Sequence, residues 1–545
     1  MAGWNFLRET LLRISSTAKS SAPKKAGKIT GLRYWMARVL EECDRVSSGF
    51  GADPVHDLRV ALRRCRSMAD GLIALDPDPE WKAMKKAGRA LFRSLGDLRD
   101  VQVMMEWIER LHPRAMPKQT ENHVESKESN LQTKESDDSD PVARALHEIL
   151  ASRESEHKQQ AKSALDDFDR KQWRQWSKSL PLRAARFRPE SLLFKHLALE
   201  RWTDARKLHD QALRNRSQVA LHTLRIGIKR FRYIVENFLP AEHKLWSRDL
   251  KEIQDLLGEV HDLDVLWSTA VSCHVFPDDA AKNSWRATIL EERSKRVERY
   301  RARMVGPDSW WQVWRAALPQ GKQIQQVAMR RMKLWARALD PDFAHSERVA
   351  GLALELHDGL SEAGLIKAEG EEARSILLIA ALLHDVGKAK GHKGHHKASL
   401  RLITEHAAPL GWNAETLQRA AVVARFHHGA LPSKSHKALR DLLPDRQKTI
   451  MQLAAILRLA NALDAAHDGH VRRVQVEQES GDHGGRTRSG CVMISAEGYS
   501  LRSATARTVA AERYLLETVL HQPVLVRPIN PPGNGSSGKL RRRRV

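Results

Sequence analysis

The chain has 545 residues, with 91 Lys and Arg against 67 Asp and Glu, so its formal net charge is +24 before any of its 25 His is counted. That length implies about three domains at roughly 100–200 residues each, and 41% hydrophobic beside 29% charged residues is globular composition with enough apolar material for real cores. Four scattered Cys (Cys43, Cys65, Cys273, Cys491) with no CxxC pair exclude a thiolate zinc site and a disulfide framework, and the longest uncharged apolar stretch, Ile376 to Leu383, is far short of the ~20 residues a bilayer span needs. Arg8 and Glu9 fall where a signal peptide would be apolar. A cytoplasmic protein with a polyanionic partner is therefore expected.

Residues 1–28 read as a short amphipathic piece and a Ser/Ala/Lys linker. Helical periodicity begins at Ile29. It breaks over 113–141, where four basic and seven acidic residues and almost nothing apolar predict a disordered insertion. Helical pattern resumes at Val142 and continues to Met304. A Trp-rich connector (305–324, with Trp310, Trp311 and Trp314) precedes a second helical block over 325–470. Residues 471–529 predict a small α/β unit, with strands in VRRVQVEQ, RSGCVMISAE and PVLVRPI and a helix from Ala504 to Leu520. Residues 530–545 form a basic tail predicted to be disordered.

The clearest internal signal is a repeat offset by 166 positions. VHDLRVALRRCR carries His56, Arg59, Arg63 and Arg66; LHTLRIGIKRFRY carries His222, Arg225, Lys229 and Arg232. At ~100° per residue, these offsets fall within about 80° of arc, so each set forms one cationic stripe on a helix. A solvated helix face interleaves Glu with Lys, whereas these stripes lack Glu and repel themselves, so each calls for an anion. Each copy is followed by a second shared signature, LGDLRDVQV and LGEVHDLDV. Lys85 and Arg89 belong to a further basic stripe able to extend the site. Few aromatic residues interleave with these cations, which argues against nucleic acid.

These paired motifs resemble the CHAD domain, the conserved-histidine α-helical domain, over roughly 29–304. The resemblance implies two similar four-helix bundles whose basic faces line a shared cavity for inorganic polyphosphate, bound by His56, Arg59, Arg63, Arg66, His222, Arg225, Lys229 and Arg232. Arg suits such a polymer because its fork grips phosphate oxygens in pairs.

The second helical block holds His345, then LLHDVGK with His384, Asp385 and Lys388, GHHKAS with His395, RFHHGALP with His427 and His428, and LRLANALDAAHD with Asn461 and Asp464. Imidazole with carboxylate and no thiolate suits Mn, Mg, Fe or Zn as a divalent ion. The block resembles the HD phosphohydrolase superfamily and, more narrowly, the C-terminal domain of the exopolyphosphatase and guanosine pentaphosphate phosphohydrolase family, over about 325–529. The resemblance implies a mainly α chain ending in an α-helical HD domain with a small α/β subdomain. It also implies metal ligation by His345, His384 and Asp385, a second metal or a phosphate on His395, His427 and His428, and a phosphate contact from Lys388. Where the superfamily places its last metal-binding Asp, this chain has Asn461, which offers an oxygen without charge; Asp464, three residues on, is expected to substitute. The function implied is polyphosphate binding joined to metal-dependent hydrolysis of polyphosphate or of a phosphorylated nucleotide, a guanosine alarmone. The alternative is a non-catalytic protein targeted to polyphosphate granules.

Overall fold

The computed structural model describes residues 31–112, 140–215, 217–366, 370–433, 435–440, 442–479 and 490–529. The expected linker at 1–28, the insertion except for Asp140 and Pro141, the glycine-rich turn before the second strand and the basic tail lie outside the described residues.

The first half of the helical array comprises α1 (Leu32–Ser48), α2 (Ala52–Ile73), α3 (Pro79–Ala87), α4 (Arg89–Leu111), α5 (Pro141–Asp166) and α6 (Arg170–Ala184). The second comprises α7 (Leu192–Asn215), α8 (Gln218–Phe238), α9 (Pro240–Ser272) and α10 (Asp279–Met304). The residue pattern explains the boundaries. Asp78, Asp140, Asp169 and Ser217 accept backbone N–H groups at the starts of α3, α5, α6 and α8, and Pro79 and Pro141 occupy first turns where no N–H is needed. The halves join where α2 packs on α8 and α4 on α9, so the two repeated helices are neighbours. One core cluster runs through both halves, and a second closes the far end of α4, α5, α9 and α10.

The Trp-rich segment forms a short helix, α11 (Trp310–Ala316), that buries Trp311 and Trp314 in the first core. Next come α12 (Lys322–Leu339), α13 (Phe343–Glu362), α14 (Gly370–Leu383), a 3-10 turn (Val386–Lys390), α15 (His395–Glu405), α16 (Ala414–Arg425), α17 (Lys437–Arg440) and α18 (Pro444–Leu463). They share a separate core with the C-terminal sheet. That sheet has the order β1 (Arg473–Glu479), β2 (Cys491–Glu497), β3 (Val524–Pro528), antiparallel then parallel. The single helix expected from Ala504 to Leu520 is two, α19 (Ala504–Glu512) and α20 (Tyr514–Leu520), broken at Arg513. No helix among the described residues is long and apolar enough to cross a membrane.

A buried polar network ties the two parts. Arg331 on α12 donates to His196 Nδ1 (2.9 Å) and Glu200 (2.6 Å) on α7, and His196 Nε2 donates to the Leu410 carbonyl (2.9 Å). Glu200 also accepts the Leu410 N–H at 2.9 Å.

Candidate functional site

The cationic stripes of α2 and α8 lie against one another instead of on a solvated face. Arg59, Arg63, Arg66, Arg225, Lys229 and Arg232 are all partly buried, while His56 is exposed. Burial pushes the Lys229 ammonium down to about 7, and Arg225, Arg63 and Arg59 repel it further against the attraction of Asp262. Arg59 and Arg66 both stack on Phe92, with guanidinium carbons 5.0 and 4.8 Å from the ring centre. Arg59 also passes close to Gly96 of the LGDLRD signature, where a Cβ would meet its guanidinium at 2.8 Å. Three of the expected anion-binding residues, Arg66, Arg225 and Arg232, each have a buried guanidinium nitrogen with no hydrogen-bond partner. Such orphaned charged donors cost stability until an acceptor arrives.

The second signature supplies groups that the sequence reading left without a role. A cavity of about 240 Å3 between α4, α8 and α9 is lined by Arg99, Arg225, Lys229, Gln254, Glu259 and Asp262, among others. Burial, aided by Asp100 and Glu259, pushes the Asp262 carboxyl up to about 6 against Arg225 and Lys229. His261 lies 3.2 Å from His222, nitrogen to nitrogen, and is pushed down to about 4 by burial and by Arg225. Both aspartates occupy the last acidic position of the L-G-[DE]-x-x-D pattern, so the motif carried the signal. Lys85 pairs with Asp70 and lies with Lys82 on another face, while Arg89 is close enough to Arg66 to repel it. Arg64, in the same repeat, is engaged by Glu236 and Asn237.

The histidine centre is built at helix ends. His384 follows α14 and directs Nδ1 at the Ala381 carbonyl (2.7 Å); His427 follows α16 and directs Nδ1 at the Ala424 carbonyl (2.7 Å). His395 opens α15 and directs Nδ1 at the His392 carbonyl (2.8 Å). A carbonyl only accepts, so each Nδ1 carries a proton, and Nε2 is the ring atom left to turn toward the centre. The three Nε2 atoms converge on Asp385. His395 Nε2 and His427 Nε2 lie 3.3 and 3.6 Å from Oδ1 and 3.0 Å from each other, and His384 Nε2 lies 3.4 Å from Oδ2. Two sets of donor atoms, His345–His384–Asp385 and Asp385–His395–His427, each fall within 4.8 Å and share Asp385. His384 Nε2 is buried without a hydrogen-bond partner. Burial alone would raise the Asp385 carboxyl, but the surrounding imidazoles, His384 foremost, hold it well below the usual carboxylate range.

Packing fixes these positions. Ser399 donates to the His384 carbonyl (2.6 Å) and accepts the Gly387 N–H (2.9 Å), and a Cβ on Gly387 would meet the His395 carbonyl at 2.0 Å. Arg458, buried in α18, grips the Phe426 and Gly429 carbonyls on either side of His427 and His428. Ser399, Gly387 and Arg458 were missed in sequence because none stands out by residue type.

Asp464 departs from the expectation that it would replace Asn461 as a ligand. Its Oδ2 accepts from His345 Nδ1 (2.7 Å) and Arg348 (2.9 Å), and its Oδ1 accepts the Gly469 N–H (3.1 Å), so the carboxylate is spent behind His345. Asn461 is the residue that faces the donors, its Oδ1 2.9 Å from His345 Nε2. His428 is exposed at the rim, its ring 6.0 Å from those of His395 and His396, outside both donor sets. Lys388 ion-pairs with Asp385 at 2.5 Å.

Residues 32–271 match the CHAD domain, and residues 327–490 match the Ppx/GppA phosphatase, domain III. No curated protein matches the chain.

Proposed function

We propose that this chain, which joins a CHAD domain to a Ppx/GppA phosphatase domain III, holds inorganic polyphosphate in the cleft between α2 and α8 and hydrolyses a phosphoanhydride at a divalent-metal centre on Asp385. The two matched families support a function connected with polyphosphate. The observation that carries the hydrolytic part is the convergence of three Nε2 atoms on one buried carboxylate, with each Nδ1 proton committed to a backbone carbonyl. A divalent cation bound among these nitrogens and the carboxylate would take the place of the protons they share. The donor set of imidazole and carboxylate suits Mn, Mg, Fe or Zn.

His345, His384 and Asp385 would hold one ion and Asp385, His395 and His427 a second, with the Asn461 oxygen beside His345. When bound, such ions lower the pKa of a coordinated water and polarise a phosphoryl oxygen. Asp464 accepts from His345 Nδ1 and fixes the ring, so Nε2, beside the Asn461 oxygen, is the atom that would meet the ion. Lys388, partly exposed at the rim, supplies an ammonium for phosphate oxygens, and His428 lies where a substrate enters. Polyphosphate or a guanosine alarmone is the substrate, and the cytoplasm, at polyphosphate granules, is the location that fits.

A second reading has a specific observation in its favour. Lys388 already neutralises Asp385, and Asn461 brings no charge, so the centre also suits a non-catalytic holder of polyphosphate. Metal analysis of the purified protein, with a screen of phosphate release from polyphosphate and nucleotide substrates, separates the two. The expected result is bound metal and metal-dependent release, both lost in His384→Ala. Absence of metal together with absence of release refutes hydrolysis. Arg59→Glu with Arg225→Glu should abolish polymer binding and spare hydrolysis of small substrates. Displacement of polyphosphate by duplex DNA at equal phosphate concentration would refute the choice of polymer.

A further inference from the structure

One cavity lies at neither of these sites. It occupies about 930 Å3 at the junction of the two parts, between α2, α3, α7 and α8 on one side and the segment after α15 on the other. Its lining is rich in charge. The acids are accounted for: Asp70 pairs with Lys85, Asp204 with Arg201 (3.6 Å), and Glu200 with Arg331 (2.6 Å). Three cations remain, Lys82, Lys207 and Arg230, all exposed, and among the described residues no carboxylate lies within 4 Å of them. They come from three different helices and face one space, which concentrates positive potential where an anion can enter.

Two connections make the position informative. Tyr233 lines this cavity, and the Arg63 guanidinium of the polymer cleft sits over its ring at 5.9 Å, so the cavity adjoins the cleft. His406, Ala407 and Ala408 also line it. His406 is the C-terminal cap of α15, whose first residue is His395 of the histidine centre. Eleven residues at ~1.5 Å each put about 16 Å of straight helix between the cavity and that centre.

We propose that the junction cavity is a second binding site, taking a short run of linked phosphates on Lys82, Lys207 and Arg230. The choice of linked phosphates rests on the polyphosphate reading of the neighbouring cleft; the unpaired cations and the space do not. The ligand is either the continuation of a polymer held in the cleft or a separate oligophosphate, and the chemistry of recognition is the same. Bound there, it touches both parts of the chain at the C-terminal end of α15.

Hydrogen exchange and calorimetry on the full chain test this, with inorganic tripolyphosphate and long-chain polyphosphate as separate probes. The variants are Lys82→Gln/Lys207→Gln/Arg230→Gln, at three exposed and unpaired positions, and Arg59→Glu/Arg225→Glu in the cleft. Expected is protection of amides in 79–87 and 406–412, lost in the triple variant with at least tenfold weaker binding of the protecting probe. Protection by tripolyphosphate that persists in the cleft variant identifies a separate oligophosphate. Protection by long chains alone, abolished in the cleft variant, identifies a continuing polymer. Lack of protection by either probe, or unchanged affinities for both in the triple variant, overturns the site. If the cleft variant binds polymer as the parent does while junction protection persists, the cleft reading fails and the junction site stands.

Discussion

Lys229 is placed where its charge costs the ligand-free fold. In the unfolded chain it titrates near 10.5; in the fold, burial and the neighbouring Arg225 and Arg63 push it down to about 7. A lysine whose pKa is depressed by folding destabilises the fold wherever it is protonated. The penalty is absent above about pH 10.5, grows as pH falls from there, and is complete below about pH 7. At about 1.4 kcal/mol per pH unit its ceiling is about 5 kcal/mol, and solvent reaching into an open cleft reduces that to about 2 kcal/mol. Met has a similar length and no charge. Lys229→Met should therefore stabilise the ligand-free protein by about 2 kcal/mol at pH 7, a rise of about 4–8 °C in melting temperature at about 2–4 °C per kcal/mol. The advantage should fade as pH approaches 10. The same variant should bind polyphosphate about tenfold or more weakly, since one charge-assisted contact is worth about 1.5–3 kcal/mol. Calorimetric melts at pH 7 and pH 10, with and without polyphosphate, measure both effects. A variant that melts below the parent without polymer at pH 7 would refute the account of the cleft as a cation store held at a cost.

Other consequences are direct. Lys229 gains its proton as pH falls through about 7 and Asp262 as pH falls through about 6, so both leave the cleft more positive, while His261, pushed down to about 4, stays neutral in this range. Polyphosphate affinity should accordingly rise from pH 8 to pH 5.5, and titration calorimetry should show Asp262→Asn binding more tightly at pH 7.5 with the acid part of that rise flattened. Gly387→Ala should lose metal binding and several degrees of thermal stability, because the new methyl meets the His395 carbonyl and the Ser399 backbone; equal metal content in variant and parent would contradict this. Asn461→Asp should raise metal affinity, and Asp464→Asn should lower it about 10–100-fold by freeing the His345 ring; complete loss of metal in Asp464→Asn with no gain in Asn461→Asp would restore Asp464 to the ligand set.

The parts of the chain that could be read in advance are those in which one helix suffices. The stripe of Arg59, Arg63 and Arg66 follows from helical spacing, and its lack of acidic partners already calls for an anion. Neither copy of the repeat, however, says that the stripes face each other across a helix pair, which is what half-buries Lys229 and depresses it. Asp464 shows the same limit from the other direction. Spacing of three on a helix makes it interchangeable with Asn461, but α18 ends at Leu463, and Asp464 leaves the helix with φ −110° and ψ 30° toward Arg348. The histidines could be named from the sequence; their useful nitrogen could not, because it is set by the last-turn carbonyls of α14 and α16 that hold Nδ1. Both sites therefore depend on groups from separate helices meeting, cations from α2 and α8 in the cleft and ring nitrogens from three helix ends around Asp385, and that meeting is what a single helix cannot announce.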